Sequence, residues 1–350
     1  MASDTTAEIG PASTHSLRAS GNASTDRPLE PACSETGRRE RPGTAAYRPI
    51  PLPPPQAAGT LDASIIVPTY QRPEAIRRCL AALERLDYSH DRFEVIVVDD
   101  GSEPPVAQSL KRFEESLTLV LLRQDNAGPA SARNHGATVA RGKLLFFTDD
   151  DCAPTPQWLK QVFESARDNP QAAIGGRTVN ALVESALSEA SQMLVDYLYE
   201  YYNIASTGGE RMFTSNNLMI PARAFREMGG FAKGFPRAAA EDREICDRWH
   251  DSGRMMIYEP VAVIEHSHPL DFVRFVLQHF GYGRGAAHFQ RLRSARGRTK
   301  KIEPFRFYLD LVLYPFGRKP ALRALQISAL FVVAQVSNAA GYFWQSWRSA

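Results

Sequence analysis

The sequence predicts an α/β fold: a mixed, mostly parallel sheet of the nucleotide-binding kind, flanked by helices and followed by a helical C-terminal segment. Three observations lead there. Short apolar runs alternate with segments of helical spacing between Ala63 and Phe147, the pattern of βαβ units. Polar or acidic residues follow each of four such runs. Beyond residue 270 the chain turns basic, then apolar and aromatic.

The first strand is Ser64-Ile65-Ile66-Val67-Pro68, and Ile76, Leu80, Leu83 and Leu86 then mark a helix over Glu74 to Leu86. Phe93 to Val98 is the second strand, with a helix near Val106–Glu115 after it. Leu117 to Leu122 is the third strand, Ala130–Ala140 a helix, and Leu144–Phe147 the fourth strand. Further on, Ile174 to Arg177, Thr214 to Ile220 and Ala262 to Glu265 read as strands. Ala222–Met228 reads as a short helix stopped by Gly229-Gly230.

Composition sets the outer limits. The chain has 350 residues, 43% hydrophobic and 23% charged, which is ordinary for a globular protein with a proper core. A net charge of +2 gives no footprint for nucleic acid, and none is expected as a partner. Cys33, Cys79, Cys152 and Cys246 lack CxxC spacing, which fits free thiols in a reducing compartment. Residues 1–60 are rich in Ala, Ser, Thr, Pro and Gly, without an apolar period or a signal-like apolar run. They are expected to form a disordered tail, ending in a polyproline linker over residues 49–55.

The densest chemistry lies at the strand ends. Thr69, Tyr70 and Arg72 follow the first strand, Asp99 and Asp100 the second, Asn126-Ala127-Gly128 the third, and Asp149-Asp150-Asp151 the fourth. In a parallel sheet these ends share one rim, where ligands bind. Three adjacent carboxylates repel one another. A divalent cation would relieve that, and hard oxygen ligands suit Mg or Mn sharing its remaining sites with phosphates. A solvated acidic turn is the plainer alternative.

Ser64–Pro73, Val97–Ser102, Asn126–Gly136 and Phe147–Pro154 together resemble the donor-binding half of family 2 glycosyltransferases, which have the GT-A fold. The resemblance covers roughly residues 63–270. It implies inverting transfer from a nucleotide-diphosphate sugar, aided by Mn or Mg. By position, Pro68, Thr69, Tyr70 and Arg72 would meet the nucleoside, and Asp99 or Asp100 would accept the base N–H. An aromatic residue with an acidic acceptor favours UDP- or dTDP-sugars. Arg133 would favour the diphosphate, Asp149 and Asp150 would approach the ribose, and Asp151 is the best metal ligand, with Asp149 beside it. The resemblance also makes Asp242 of the Glu241-Asp242 pair the general base; helix capping is the alternative.

The second half must then supply the acceptor side. Gly176, Asn216 and Asn217 are candidates for sugar contact, and Trp249 for the acceptor groove or for packing. His266-Ser267-His268 follows a strand whose alternation puts both rings on one face. His266 is the candidate third metal ligand, with His268 behind it. Val183–Gly209, with four tyrosines, reads as an acceptor lid, a membrane-facing helix or a packed helix.

Phe272 to Phe280 is expected to be a helix broken at Tyr282-Gly283-Arg284-Gly285. Seven basic residues from Arg284 to Lys301 are expected to face anionic headgroups. Ala324 to Trp347 has no formal charge and suits an interfacial helix, a span or a soluble packed helix. The expected organisation is thus a tail (1–60), a GT-A domain (61–270, with nucleotide half 61–154 and acceptor half 155–270) and a membrane-associated region (271–350). The partners expected are a nucleotide-sugar, a glycan or lipid-linked acceptor and the cytoplasmic face of the cell membrane. Two rivals remain: a sugar nucleotidyltransferase, and a non-catalytic glycan- or nucleotide-binding subunit.

Overall fold

In the computed structural model, eight strands form one sheet in the order β3-β2-β1-β4-β7-β6-β8-β5. The structure describes residues 61–205, 210–235, 239–300 and 302–348; the expected tail and its polyproline linker lie outside them. In chain order the elements are β1 (Leu61–Thr69), α1 (Pro73–Leu83), β2 (Phe93–Asp99), α2 (Ala107–Leu110), β3 (Leu119–Arg123), α3 (Pro129–Val139) and β4 (Gly142–Phe147). They continue as β5 (Cys152–Pro154), α4 (Trp158–Arg167), β6 (Ala173–Asn180), α5 (Ala186–Tyr199), β7 (Leu218–Pro221), α6 (Ala222–Glu227), α7 (Glu241–Asp251) and β8 (Met256–His266). Three helices close the chain: α8 (Phe272–Ala295), α9 (Phe305–Leu313) and α10 (Ala321–Arg348).

β1 to β4 pair in parallel, and β1 and β2 are buried along their whole length. That explains their unbroken apolar runs, since helices cover both faces. Alternation assigns the faces. Ile65, Val67, Val95, Val97 and Phe146 pack with Ile76, Leu80 and Trp158 of α1 and α4. Ile66, Ile96, Val98 and Phe147 pack the other face with Ala132 of α3, Phe225 of α6 and Trp249 of α7. β7 joins β4 antiparallel, so the sheet is mixed.

β1 lies between β2 and β4, so the strand order reverses at β1/β4. The crevice at the carboxyl ends there is where open α/β sheets bind ligands. Thr69 and Asp99 are register partners at the ends of β1 and β2, and Phe147 pairs with Ile66 two residues before Asp149.

Three expectations are corrected. Only Ala107–Leu110 is α-helical in the 106–115 stretch, followed by a 3-10 turn over Lys111–Phe113. α8 runs unbroken through Gly281, Gly283 and Gly285. Its glycines are close-approach sites: a Cβ on Gly283 would overlap the backbone of Asn338 in α10. Part of the basic stretch is spent inside the protein, with Arg293 and Arg296 paired to Asp247 and Glu244 of α7, while Arg291, Arg298 and Lys300 stay exposed.

Where it is described, the tyrosine-rich segment is packed helix: α5, then a π-helical turn over Glu200–Ala205. Tyr197 of α5 joins Phe275, Phe307, Leu311, Ile327 and Phe331 in a third cluster that α8, α9 and α10 share. α10 is long and apolar enough to cross a membrane by length and composition.

Candidate active site

Asp149, Asp150 and Asp151 sit just beyond β4, and each is engaged differently. Asp150 is buried. Its Oδ2 accepts a 2.7 Å hydrogen bond from Thr69 Oγ1 and its Oδ1 one of 3.0 Å from Arg72. Burial, with the neighbouring Asp151 charge, pushes its pKa up to about 6 against the pull of Arg72 and Thr69. Arg72 also donates to Asp151 Oδ2 at 2.9 Å. The β1 turn and the acidic triplet are therefore clamped together across the switch point.

Asp151 faces two imidazoles. His266 Nε2 lies 3.2 Å from Oδ1 and His268 Nδ1 3.4 Å from Oδ2. The rings are stacked with centroids 5.2 Å apart. Burial would raise the Asp151 pKa, but the bonds from His266 and His268 and the Arg72 charge outweigh it, holding the carboxyl well below the usual range. One ligand atom from each of these three residues falls within 4.8 Å of the others. A carboxylate and two imidazoles converging on one point fit a divalent transition ion such as Mn. The far nitrogen of His268 is 2.7 Å from Gln278 Oε1 on α8. This kind of partner fixes the tautomer and orientation of a ligating imidazole.

Asp149 turns the other way. Arg133, on α3 and fully buried, donates to Asp149 Oδ1 at 2.6 Å and to Glu241 Oε1 at 3.0 Å. Its guanidinium also stands 5.6 Å from the Phe231 ring. α3 starts where it does because Gly128 takes φ +84° and Pro129 opens the first turn. The Gly128 and Ala127 amides are held at 2.9 Å by Asp100.

Glu241 and Asp242 open α7 directly after Ala240, whose φ of +70° is left-handed without a glycine's freedom. Such strain persists where surrounding structure fixes it, commonly at functional sites. Glu241 is buried, and its Oε2 has no hydrogen-bond partner among the described residues. Burial, then the Asp242 charge, raises the Glu241 pKa against Arg133. Burial raises that of Asp242 as well.

Residues 64–231 match the model of glycosyl transferase family 2. Residues 64–231 form a domain of that family. Among curated relatives, it is 27% identical over 238 residues to the pre-mycofactocin glycosyltransferase of Mycobacterium tuberculosis, covering 67% of this chain and 48% of the relative. It is 29% identical over 217 residues to the validoxylamine A glucosyltransferase of Streptomyces hygroscopicus subsp. limoneus, covering 54% and 48%. This chain spans about half the length of these relatives. The fold is shared with a mannosyltransferase of Pyrobaculum calidifontis in complex with GDP-Man and Mn2+, at TM-score 0.55 and 19% identity over 82% of this chain and 90% of that one. It is shared too with S. aureus TarS 1–349 in complex with UDP-GlcNAc, at TM-score 0.51 and 15% identity over 83% and 92%. The architecture is the GT-A fold.

Several family 2 site expectations land elsewhere. Trp249 is a core residue, its indole N–H bonded to the Met255 carbonyl at 2.8 Å. Asn217 braces the sheet, accepting from Trp158 Nε1 at 2.9 Å and donating to the Arg177 and Ala262 carbonyls. Gly176 has no Cβ because Asn217 and the Ala262 carbonyl fill that space. Asn216 accepts at 2.7 Å from Thr214. Asp99 holds its own loop through the Ser102 and Val106 amides. Pro68 is buried within β1 while Tyr70 is exposed at the rim.

The sequence reading missed Gln278 and Tyr282. Gln278 Nε2 donates to the Tyr282 hydroxyl at 2.9 Å. Reading α8 as broken at residue 282 hid them; their spacing of four on a continuous helix is the signal that could have found them.

Proposed function

We propose that this protein is an inverting, metal-assisted glycosyltransferase. It would move a sugar from a UDP- or dTDP-sugar to a glycan or lipid-linked acceptor at the cytoplasmic face of the cell membrane. The observation that carries this reading is the joining of two carboxylate sets by one buried cation: Arg133 holds Asp149 of the donor rim and Glu241 of the acceptor side together. Exposed Tyr70 can stack on the base. Asp100 Oδ2 accepts only the Gly128 amide among the described contacts and keeps capacity for an imide N–H. Asp151, His266 and His268 would hold the ion, which supplies charge to the diphosphate as the nucleotide leaves. Two imidazoles favour Mn over Mg in that role.

Asp242 is the base in this scheme. Glu241 is tied to Arg133 and sealed from solvent, whereas Asp242 is only half-buried. Its raised pKa gives it basicity a free carboxylate lacks. The carboxylate takes the acceptor hydroxyl proton as that oxygen bonds to the anomeric carbon. The bond to the nucleoside diphosphate breaks on the opposite face, and its electron pair leaves with the phosphate. Glu241 and Arg133 position the base.

Calorimetric titration with UDP, with and without Mn, tests the donor half of this reading. Metal-dependent binding lost in Asp151→Ala supports it; metal-independent binding or none from the folded protein opposes it. Full turnover by Asp242→Asn would remove Asp242 as base and revive the non-catalytic rival.

A further inference from the structure

We infer that α10 lies flat on an anionic lipid surface through a single apolar stripe, and does not cross the bilayer. The helix has two unlike long faces. Ala324, Ile327, Phe331, Ala334 and Gly341 form a buried face that meets α5, α8 and α9. On the opposite side Leu322, Leu325, Val332, Val336, Phe343 and Trp347 are exposed, at 82% for Leu322, 65% for Val336 and 76% for Trp347. At 1.5 Å per residue the stripe runs about 38 Å. A monomeric soluble surface rarely leaves so continuous an apolar feature bare.

A span would carry the helices packed on its buried face into the bilayer with it. Here the buried face is fused to α8 by glycine contacts: Gly283 against Asn338, and Gly341 against the Phe280 carbonyl. α8 also carries Arg274, Arg284, Arg291 and Arg293 and the site residue Gln278. Inserting α10 across a bilayer would drag those charges into hydrocarbon, at a few kcal/mol each. An in-plane pose wets only the bare stripe.

The neighbouring helix repeats the design. α9 buries Phe307 and Leu311 in the same cluster and leaves Phe305, Leu309 and Leu313 exposed. Charge points to an anionic partner. Residues 304–348 hold five Arg or Lys and one acid, Asp310. Glu189 of α5 and Glu200, just after it, offset Lys319, Arg323 and Arg318. Arg306, largely exposed, pairs with Asp310 at 3.3 Å, which leaves exposed Arg348, stacked beside Trp344, as the outlying cation. An arginine and two tryptophans at one end of an apolar stripe suit the headgroup boundary.

On the glycosyltransferase reading, the consequence is where the acceptor sits. α8 alone separates Gln278 and Tyr282 from α10, so the site stands roughly 20 Å from the stripe, two helix layers at ~10 Å each. A lipid-linked acceptor would reach it without leaving the membrane. The docking itself needs no such reading.

The test is sedimentation of the full chain with phosphatidylcholine vesicles with and without 25% phosphatidylglycerol, comparing wild type with V332E/V336E. Both positions are exposed, and unchanged circular dichroism confirms that the variant folds. The expected result is binding to the anionic vesicles that falls at least tenfold in the variant. A cysteine at Ser346, in a chain whose four native cysteines are replaced by serine or alanine, should react with a membrane-impermeant maleimide from the side where the protein was added. Three results would overturn the inference: binding unaltered by V332E/V336E, no vesicle binding by the folded protein, or a residue-346 cysteine reachable only from the far side. A wild-type dimer dissociated by the same variant, without vesicle affinity, would also overturn it by assigning the stripe to a second copy.

Discussion

Replacing Arg133 by methionine isolates the contact on which the site is built. Met keeps much of the length and apolar volume but removes the charge. Arg133 is 2% exposed and serves Asp149 at 2.6 Å and Glu241 at 3.0 Å. Glu241 is equally enclosed, and its second oxygen already lacks a partner among the described residues. Removing one member of a buried pair costs ~3–5 kcal/mol, because the remaining charge is left desolvated. The loss should depend on pH with a definite sign. The folded-state pKa of Glu241 is already raised by burial and by Asp242, and losing Arg133 raises it further. Between the unfolded value near 4.5 and that raised value, the folded state binds the extra proton, so stability falls as pH rises. Urea unfolding at pH 5 and pH 8 reads both effects: R133M should be destabilised at both and more so at pH 8. In R133M/E241Q part of the loss should return. A variant within 1 kcal/mol of wild type at pH 8, or a loss that does not grow with pH, would refute the reasoning.

Four other outcomes follow from the same geometry. D151A should abolish Mn-dependent UDP binding in calorimetry. Q278L should weaken Mn affinity ~10-fold through His268, with the unfolding midpoint nearly unchanged. D242N should lower turnover ~10²–10⁴-fold while UDP affinity stays within twofold of wild type. G283V should separate α8 from α10 and lower the thermal midpoint, at a cost of ~1–3 kcal/mol or more for the overpacked contact.

The nucleotide half was legible because its signals are local. Buried parallel strands favour continuous apolar runs, and β1, β2 and β4 carry them at residues 65–68, 95–98 and 144–147. Polar residues at strand ends mark the rim whatever the rest of the chain does. The acceptor half was harder to read. Asn217 and Trp249 look like sugar-binding types in sequence, yet their partners, Trp158 and the Met255 carbonyl, are set by packing. A glycine run such as Gly281–Gly285 reads as a break, since glycine costs a helix ~1 kcal/mol per residue. Close packing against α10 offsets that cost, and only the second helix reveals it.

The sequence alone determined the alternation of strands and helices, the acidic rim after β4, and the uncharged length of α10, because each follows from side-chain chemistry and spacing along one segment. Tertiary structure decided which carboxylates meet which cations. Arg133 and Glu241 lie 108 positions apart and Asp151 and His268 117 apart, separations at which spacing carries no information. It also decided that Arg293 and Arg296 are bound internally and that only one face of α10 stays bare. Exposure is a property of the packed neighbour, and no residue's own identity encodes it.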